Sequence, residues 1–225
     1  MMLERNDPIH SIIFFDTGWE FPEMNIHIDK LEKHIGLKVE RIHPRKPFNY
    51  LMLEHPVKRR ATNQIRGLGY GWPSVFRRWC TREKVSAIHR HVKSIENKIQ
   101  VIGIAADEAH RTKIDKGVAK RYPLIEWDIT EKQALQYCYE KGFDWGGLYE
   151  IFDRVSCFCC PLQRISDLRK LRKHRPELWD IMLKMDKKTP KEYRPGFKDL
   201  RTVHDFEKRF SNEDRQMEFD FMQKN

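Results

Sequence analysis

The chain has 225 residues, of which 40% are hydrophobic and 34% charged, with a formal net charge of +10. That length allows one substantial domain with a helical appendage, and no apolar run approaches the ~20 residues of a membrane-spanning helix. Glu4 and Asp7 break any basic-then-apolar signal pattern at the N-terminus, so a cytoplasmic location is expected, and the positive balance suits anionic partners such as nucleotides or nucleic acid.

The first informative stretch runs from Ser11 to Met24. Ile12-Ile13-Phe14-Phe15 is an apolar run of strand length that stops at Asp16-Thr17-Gly18, and Pro22 stands where a helix can begin. A continuous apolar run predicts a strand buried on both faces, as in parallel sheets, and ligands of such sheets bind beyond the carboxyl ends of the strands. Asp16 and Thr17 therefore stand where a ligand would, with Gly18 allowing close backbone approach. A plain strand-to-helix turn is the alternative. Met24, Ile28, Leu31 and Ile35 mark one helix face, Gly36 is a stop signal, and residues 37–42 read as a second strand, completing a βαβ unit.

Pro44 and Pro47 close that unit and open a long basic segment. Residues 67–73, Gly-Leu-Gly-Tyr-Gly-Trp-Pro, read as a flexible loop and not as a dinucleotide fingerprint, because no clear strand precedes them. Residues 74–95 look helical, and residues 100–105 read as a third buried strand with Asp107 and Glu108 at its carboxyl end. That acidic pair also suits the N-terminus of a helix. Thr130 and Gln133 have capping-box spacing, opening a helix that Gly142 ends. After Pro161 the chain reads as charged helices, with Pro176 in a first turn and Ser211 with Asp214 as a cap of the last one. Basic residues cluster in Lys58-Arg59-Arg60, in Arg77-Arg78 and over 164–175. The last cluster alternates with Leu168 and Leu171 as on an ordinary amphipathic helix.

Four of the five cysteines carry a signal. Cys157, Cys159 and Cys160 form a C-x-C-C group followed by Pro161, and the Cys157-x-x-Cys160 spacing lets a tight turn aim two sulfurs at one metal. Cys138 lies in a helical pattern and reads as a small hydrophobe. Arg82, Lys84 and Arg111 are candidate anion-neutralising residues, since a guanidinium contacts phosphate or sulfate bidentately. An ordinary surface or ion-pair role is the alternative for each.

The segments Phe14-Phe15-Asp16-Thr17-Gly18-Trp19-Glu20-Phe21-Pro22-Glu23-Met24, Trp79-Cys80-Thr81-Arg82-Glu83-Lys84, Gly103-Ile104-Ala105-Ala106-Asp107-Glu108 with Arg111, and Tyr122-Pro123-Leu124-Ile125-Glu126-Trp127 leading to Cys157–Pro161 together resemble the phosphoadenosine-phosphosulfate (PAPS) reductase family. That family belongs to the adenine-nucleotide alpha-hydrolase group. The resemblance covers roughly residues 11–165. It implies an α/β fold with a doubly wound, mostly parallel sheet, a nucleotide-binding domain over residues 1–165 and a charged helical extension over 166–225. It implies an adenine nucleotide, ATP or PAPS, as substrate, with Asp16, Thr17, Gly18, Arg82, Asp107 and Arg111 as nucleotide-contacting positions, and the 67–73 loop as a mobile cover. It also implies that Cys80 lies near the cysteine turn. Cys80, Cys157, Cys159 and Cys160 then form a candidate set for a [4Fe-4S] cluster. A zinc site completed by a histidine and metal-free redox thiols are the other two readings.

Two departures from the family pattern stand out. The phosphate-binding loop, a Ser-Gly-Gly-Lys-Asp-Ser type turn, belongs upstream of Ser11, whereas residues 1–10 contain no glycine and read like the tail of the following helix. The chain is therefore expected to begin inside the domain. The thioredoxin-linked reductases of the family use a cysteine near the C-terminus, and none follows Cys160 here. The expected activity is sulfonucleotide reduction, or ATP-dependent sulfur transfer to a substrate such as nucleic acid. Either would be served by an electron or sulfur donor protein. The alternative is an inactive family member that binds nucleic acid or a protein partner.

Overall fold

The computed structural model describes residues 1–112, 118–190 and 196–224. Their elements in chain order are β1 (Ile12–Phe15), α1 (Pro22–Ile35), β2 (Val39–Ile42), α2 (Phe48–Leu53), β3 (Pro56–Lys58), β4 (Ile65–Leu68), α3 (Trp79–His91), β5 (Ile99–Val101), β6 (Ala119–Arg121), α4 (Pro123–Glu126), α5 (Glu131–Glu140), α6 (Leu148–Ile151), α7 (Ile165–His174), α8 (Pro176–Lys188) and α9 (Val203–Lys224). The fold is mixed α/β with a helical C-terminal region, as expected. Its described strands form three two-stranded sheets, β1-β2, β3-β4 and β5-β6. No helix among the described residues is long and apolar enough to cross a membrane.

The chain divides into two compact units that it enters more than once. The first comprises Met1–Phe14, Pro22–Arg41 and Ile88–Tyr149, and the second Phe15–Phe21, Ile42–Ala87 and Glu150–Asn225. In the first unit, α1 begins at Pro22, where a missing N–H costs nothing, and ends at Gly36, whose φ of 67° admits the left-handed cap. The Thr130–Gln133 capping box opens α5 as predicted. The parallel pair β5-β6 is shorter than the expected strand, and Ile99 and Val101 are exposed, so this is not a buried central strand. Beyond it, Ala106–Arg111 winds into a 3-10 helix. β1 is buried only at Phe15, so its apolar run does not reflect burial on both faces.

The second unit is built on aromatic rings. Trp19, Phe48 and Trp79 meet edge to face, with centroids 5.2 Å (Trp19–Phe48), 5.0 Å (Phe48–Trp79) and 5.8 Å (Trp19–Trp79) apart. Trp72 lies 6.3 Å from Trp19 and Phe15 lies 6.2 Å from Phe48. Such rings each bury some 150–250 Å². Phe48 reaches this cluster on α2, which lies in the long basic segment that Pro44 and Pro47 open. Its Phe48, Leu51 and Met52 are buried at helical spacing.

The glycine-rich stretch is not a free cover. Gly67 and Leu68 pair with Val57 and Pro56 in the antiparallel β3-β4 hairpin. The amides of Tyr70 and Gly71 donate to the Leu51 and Met52 carbonyls at 2.9 Å. At Gly69, with φ of 71°, an added Cβ would sit 2.2 Å from the Met52 carbonyl oxygen, so only glycine fits. Trp72 is buried and donates to Asp186 on α8 at 2.9 Å. The stretch is thus a strap pinned at both ends.

The C-terminal helices are cross-braced. Arg172 on α7 donates to Glu207 on α9 through Nε at 2.9 Å and Nη2 at 3.0 Å, and to Asp214 through Nη1 at 2.6 Å. Arg169 pairs with Glu213 and Asp214, and Trp179 donates to Glu207 at 2.6 Å. Lys170 and Arg164 pair with Asp153. The basic cluster over 164–175 is therefore largely neutralised within this unit. Ser211 does not cap a helix, because α9 runs continuously through it. The cap is Thr202, whose backbone and hydroxyl donate to Asp205 at 2.7 and 2.8 Å.

Arg172 holds Glu207 below its ordinary carboxyl value of 4.5. A lowered carboxyl pKa stabilises the fold above the unfolded value, and that contribution disappears as pH falls through the folded one. Glu207→Gln should lower unfolding stability by about 1–2 kcal/mol at pH 7, the scale of a partly exposed charged hydrogen bond. In urea titrations this difference should shrink as pH falls below about 4.5.

Candidate functional site

The strand-end turn after β1 belongs to the second unit and is locked by its own side chains. The Asp16 amide continues the ladder by donating to the Ile42 carbonyl at 2.9 Å, and its carboxylate accepts from the Gly18 amide at 2.8 Å. His43 Nδ1 lies 3.8 Å from the other Asp16 oxygen. Thr17 donates to Glu20 from its backbone at 3.0 Å, and its hydroxyl lies 2.7 and 2.8 Å from the two Glu20 oxygens. That hydroxyl also accepts from the Trp19 amide at 3.0 Å. Gly18 has φ of 77°, which the turn requires.

The cysteine turn closes on this strand end. Cys160 N donates to the Cys157 carbonyl at 3.1 Å, forming the tight turn that the C-x-x-C spacing suggests. Gln163 Nε2 donates to the Cys157 and Phe158 carbonyls at 2.9 and 2.8 Å, and Phe158 N donates to the Trp19 carbonyl at 2.9 Å. These bonds place Cys157 Sγ 3.7 Å from the Thr17 hydroxyl and 3.8 Å from Glu20 Oε1, to which the thiol donates. Cys80 comes from the first turn of α3, immediately after the buried Trp79. It is close enough to Cys160 for their charges to interact, as is Cys157, and Cys159 senses both turn cysteines.

The electrostatics of this group are those of a desolvated acid cluster. Burial, then the neighbouring Glu20 carboxylate, pushes the Cys157 thiol up to about 12. Burial also raises Cys80, and it raises the fully buried Cys159 well above the ordinary thiol value. Glu20 is raised as well, mainly by burial and further by Asp16, against the opposing hydrogen bonds of Thr17. All five cysteines are free thiols. Among the described residues, no three His, Cys, Asp or Glu side chains surround a point in the manner of metal ligands. The donor type suits a thiolate-bound metal, but the thiols do not form a closed ligand shell.

The remaining candidates are distributed as follows. Arg82 is exposed on α3, two residues from Cys80. Asp107 and Arg111 lie in the first unit, on its Ala106–Arg111 turn. There Asp107 accepts from the Glu131 amide at 3.1 Å, at the start of α5, and Arg111 pairs with Glu108. Glu20 is the residue that sequence reasoning passed over. Its Thr17-x-x-Glu20 spacing ahead of a helix was the available signal, because a hydroxyl and a carboxylate three residues apart close on each other.

Compared with known families, residues 1–163 match the model of the phosphoadenosine phosphosulfate reductase domain. An uncharacterized protein of Methanocaldococcus jannaschii is 24% identical over 190 residues, covering 75% of this chain and 34% of that protein. A phosphoadenosine 5'-phosphosulfate reductase of Erwinia tasmaniensis is 24% identical over 155 residues, covering 66% of this chain and 59% of that enzyme. The chain thus spans 34% and 59% of the lengths of these relatives. No solved structure matches it.

A thiol held near 12 carries about three orders of magnitude less thiolate at pH 8 than an ordinary cysteine. Iodoacetamide should therefore label Cys157 and Cys159 at least about a hundredfold more slowly in the folded protein than in urea, as followed by peptide mass spectrometry. Glu20→Gln, which removes a carboxylate opposing ionisation, should speed labelling of Cys157.

Proposed function

The chain belongs to the phosphoadenosine phosphosulfate reductase domain family, and we propose that it is an enzyme acting on an adenine nucleotide or sulfonucleotide in sulfur chemistry, with the strand end at Asp16–Glu20 and the cysteine turn as its reaction centre. The observation that carries this reading is the 3.7 Å approach of the Thr17 hydroxyl to Cys157 Sγ. It supports the reading because open sheets present ligands beyond their strand ends, and Thr17 stands at such an end. Asp16 and Thr17 offer an acceptor and a hydroxyl for the nucleoside, Gly18 leaves room for close approach, and Arg82 offers a guanidinium for phosphate or sulfate.

Cys80, Cys157, Cys159 and Cys160 are the donors proposed for an iron–sulfur cluster or zinc. Such a group supplies the positive charge that holds thiolates ionised at neutral pH. Around it, Glu20 accepts the Cys157 proton, and Gln163 fixes the turn through two backbone carbonyls. The family favours reduction of a sulfonucleotide to sulfite with electrons from a donor protein. ATP-dependent sulfur transfer to a substrate such as nucleic acid is the second reading, favoured by the net positive charge of the chain.

Two measurements test this. Calorimetric titration with ATP and with PAPS should give a saturable heat for one of them. No heat with either would remove the enzymatic reading for this chain and leave a non-catalytic binding module. Anaerobic purification should yield iron and a brown chromophore that Cys157→Ser diminishes. Colourless protein with stoichiometric zinc would replace the cluster by zinc, and protein free of both metals would leave redox thiols.

A further inference from the structure

We propose that the segment from His55 to Arg78 is a binding surface for single-stranded nucleic acid, with the phosphodiester backbone on the cations of the β3-β4 hairpin and a base stacked on Phe76. This stands apart from the chemistry at the cysteine turn and does not depend on it. The segment contains Lys58, Arg59, Arg60, Arg66, Arg77 and Arg78 and no aspartate or glutamate, so it holds six of the ten excess positive charges of the chain. The basic residues of α7 lie instead against the carboxylates of α9 and Asp153.

The hairpin presents its cations on an ordered frame. β3 and β4 pair antiparallel, with Lys58 opposite Ile65 and a bulge between Val57 and Lys58. The tip is closed by Arg59 N to the Gln64 carbonyl at 2.8 Å and Asn63 N to the Arg59 carbonyl at 2.9 Å. Lys58, Arg59, Arg60 and Arg66 are all exposed. Five of the six cations are arginines, whose planar fork pairs with phosphate bidentately.

The aromatic partner is Phe76, 96% exposed and followed by Arg77 and Arg78. Its turn is closed by reciprocal backbone bonds, Ser74 N to Arg77 O at 3.2 Å and Arg77 N to Ser74 O at 3.1 Å. A phenyl ring held outside on an ordered turn beside arginines is a stacking platform for an unpaired base. The Gly69–Trp72 strap ties hairpin and turn to α2 and α8.

The test is fluorescence anisotropy of the full chain with a labelled oligothymidylate of about 20 nucleotides between roughly 50 and 300 mM salt. Binding should weaken steeply with salt. Combined Lys58→Ala, Arg59→Ala and Arg60→Ala should lower the log–log salt slope by about 2, at about 0.7 per phosphate contact. Phe76→Ala should weaken binding about tenfold and leave the slope unchanged. No binding at the lowest salt, an unchanged slope in the triple variant, or no effect of Phe76→Ala would each overturn the proposal. So would a preference for duplex of equal length. Displacement of the oligonucleotide by ATP at matched ionic strength would also overturn it, because the cations would then serve a small phosphate ligand.

Discussion

The packing of Trp19, Phe48, Trp72 and Trp79 is the constraint on which the second unit depends. Each indole is also anchored by its nitrogen: Trp19 to Asn49 at 2.7 Å, Trp72 to Asp186 at 2.9 Å and Trp79 to the Gly71 carbonyl at 3.1 Å. Burial supplies the stabilisation, and these bonds fix how each ring is turned. The ring positions matter because candidate residues flank them. Thr17 and Glu20 bracket Trp19, Cys80 follows Trp79, and the Trp19 carbonyl receives the amide of Phe158, which sits between Cys157 and Cys159. Three segments distant in the chain meet because their neighbouring aromatics share one cluster.

The same packing sets the chemistry of the thiols. Removing a thiolate from water is costly unless a positive charge accompanies it, so burial keeps Cys80, Cys157 and Cys159 protonated. Glu20 adds a negative neighbour to Cys157 and is itself raised. Thiols held protonated in this way are poor nucleophiles toward bulk reagents, because the thiolate is the reactive form.

Charge is distributed with equal consequence. The arginines of α7 and those of the β3-β4 hairpin look alike in composition. On α7 they are spent on Glu207, Glu213, Asp214 and Asp153, bracing the helices against one another. The segment that contains the hairpin has no aspartate or glutamate of its own between His55 and Arg78. The net charge of the chain is therefore a local property of one segment more than a general feature of its surface.

Local interactions were legible in the sequence. Pro22 and Gly36 delimit α1, Thr130 and Gln133 open α5, and the C-x-x-C spacing closes a tight turn, because each of these depends on bonds between residues within four positions of one another. The strand-end motif and cysteine spacing were readable for the same reason. Tertiary structure alone decided the rest. The glycine-rich stretch became a pinned strap because α2 and Asp186 supply partners far along the chain, and the 100–105 strand shortened because only three residues find a neighbour in β6. Glu20 joined the thiols, and Arg172 was withdrawn from solvent, through contacts spanning 137 and 35 residues. Such pairings depend on which surfaces the whole chain buries together, and no window of neighbouring residues encodes that.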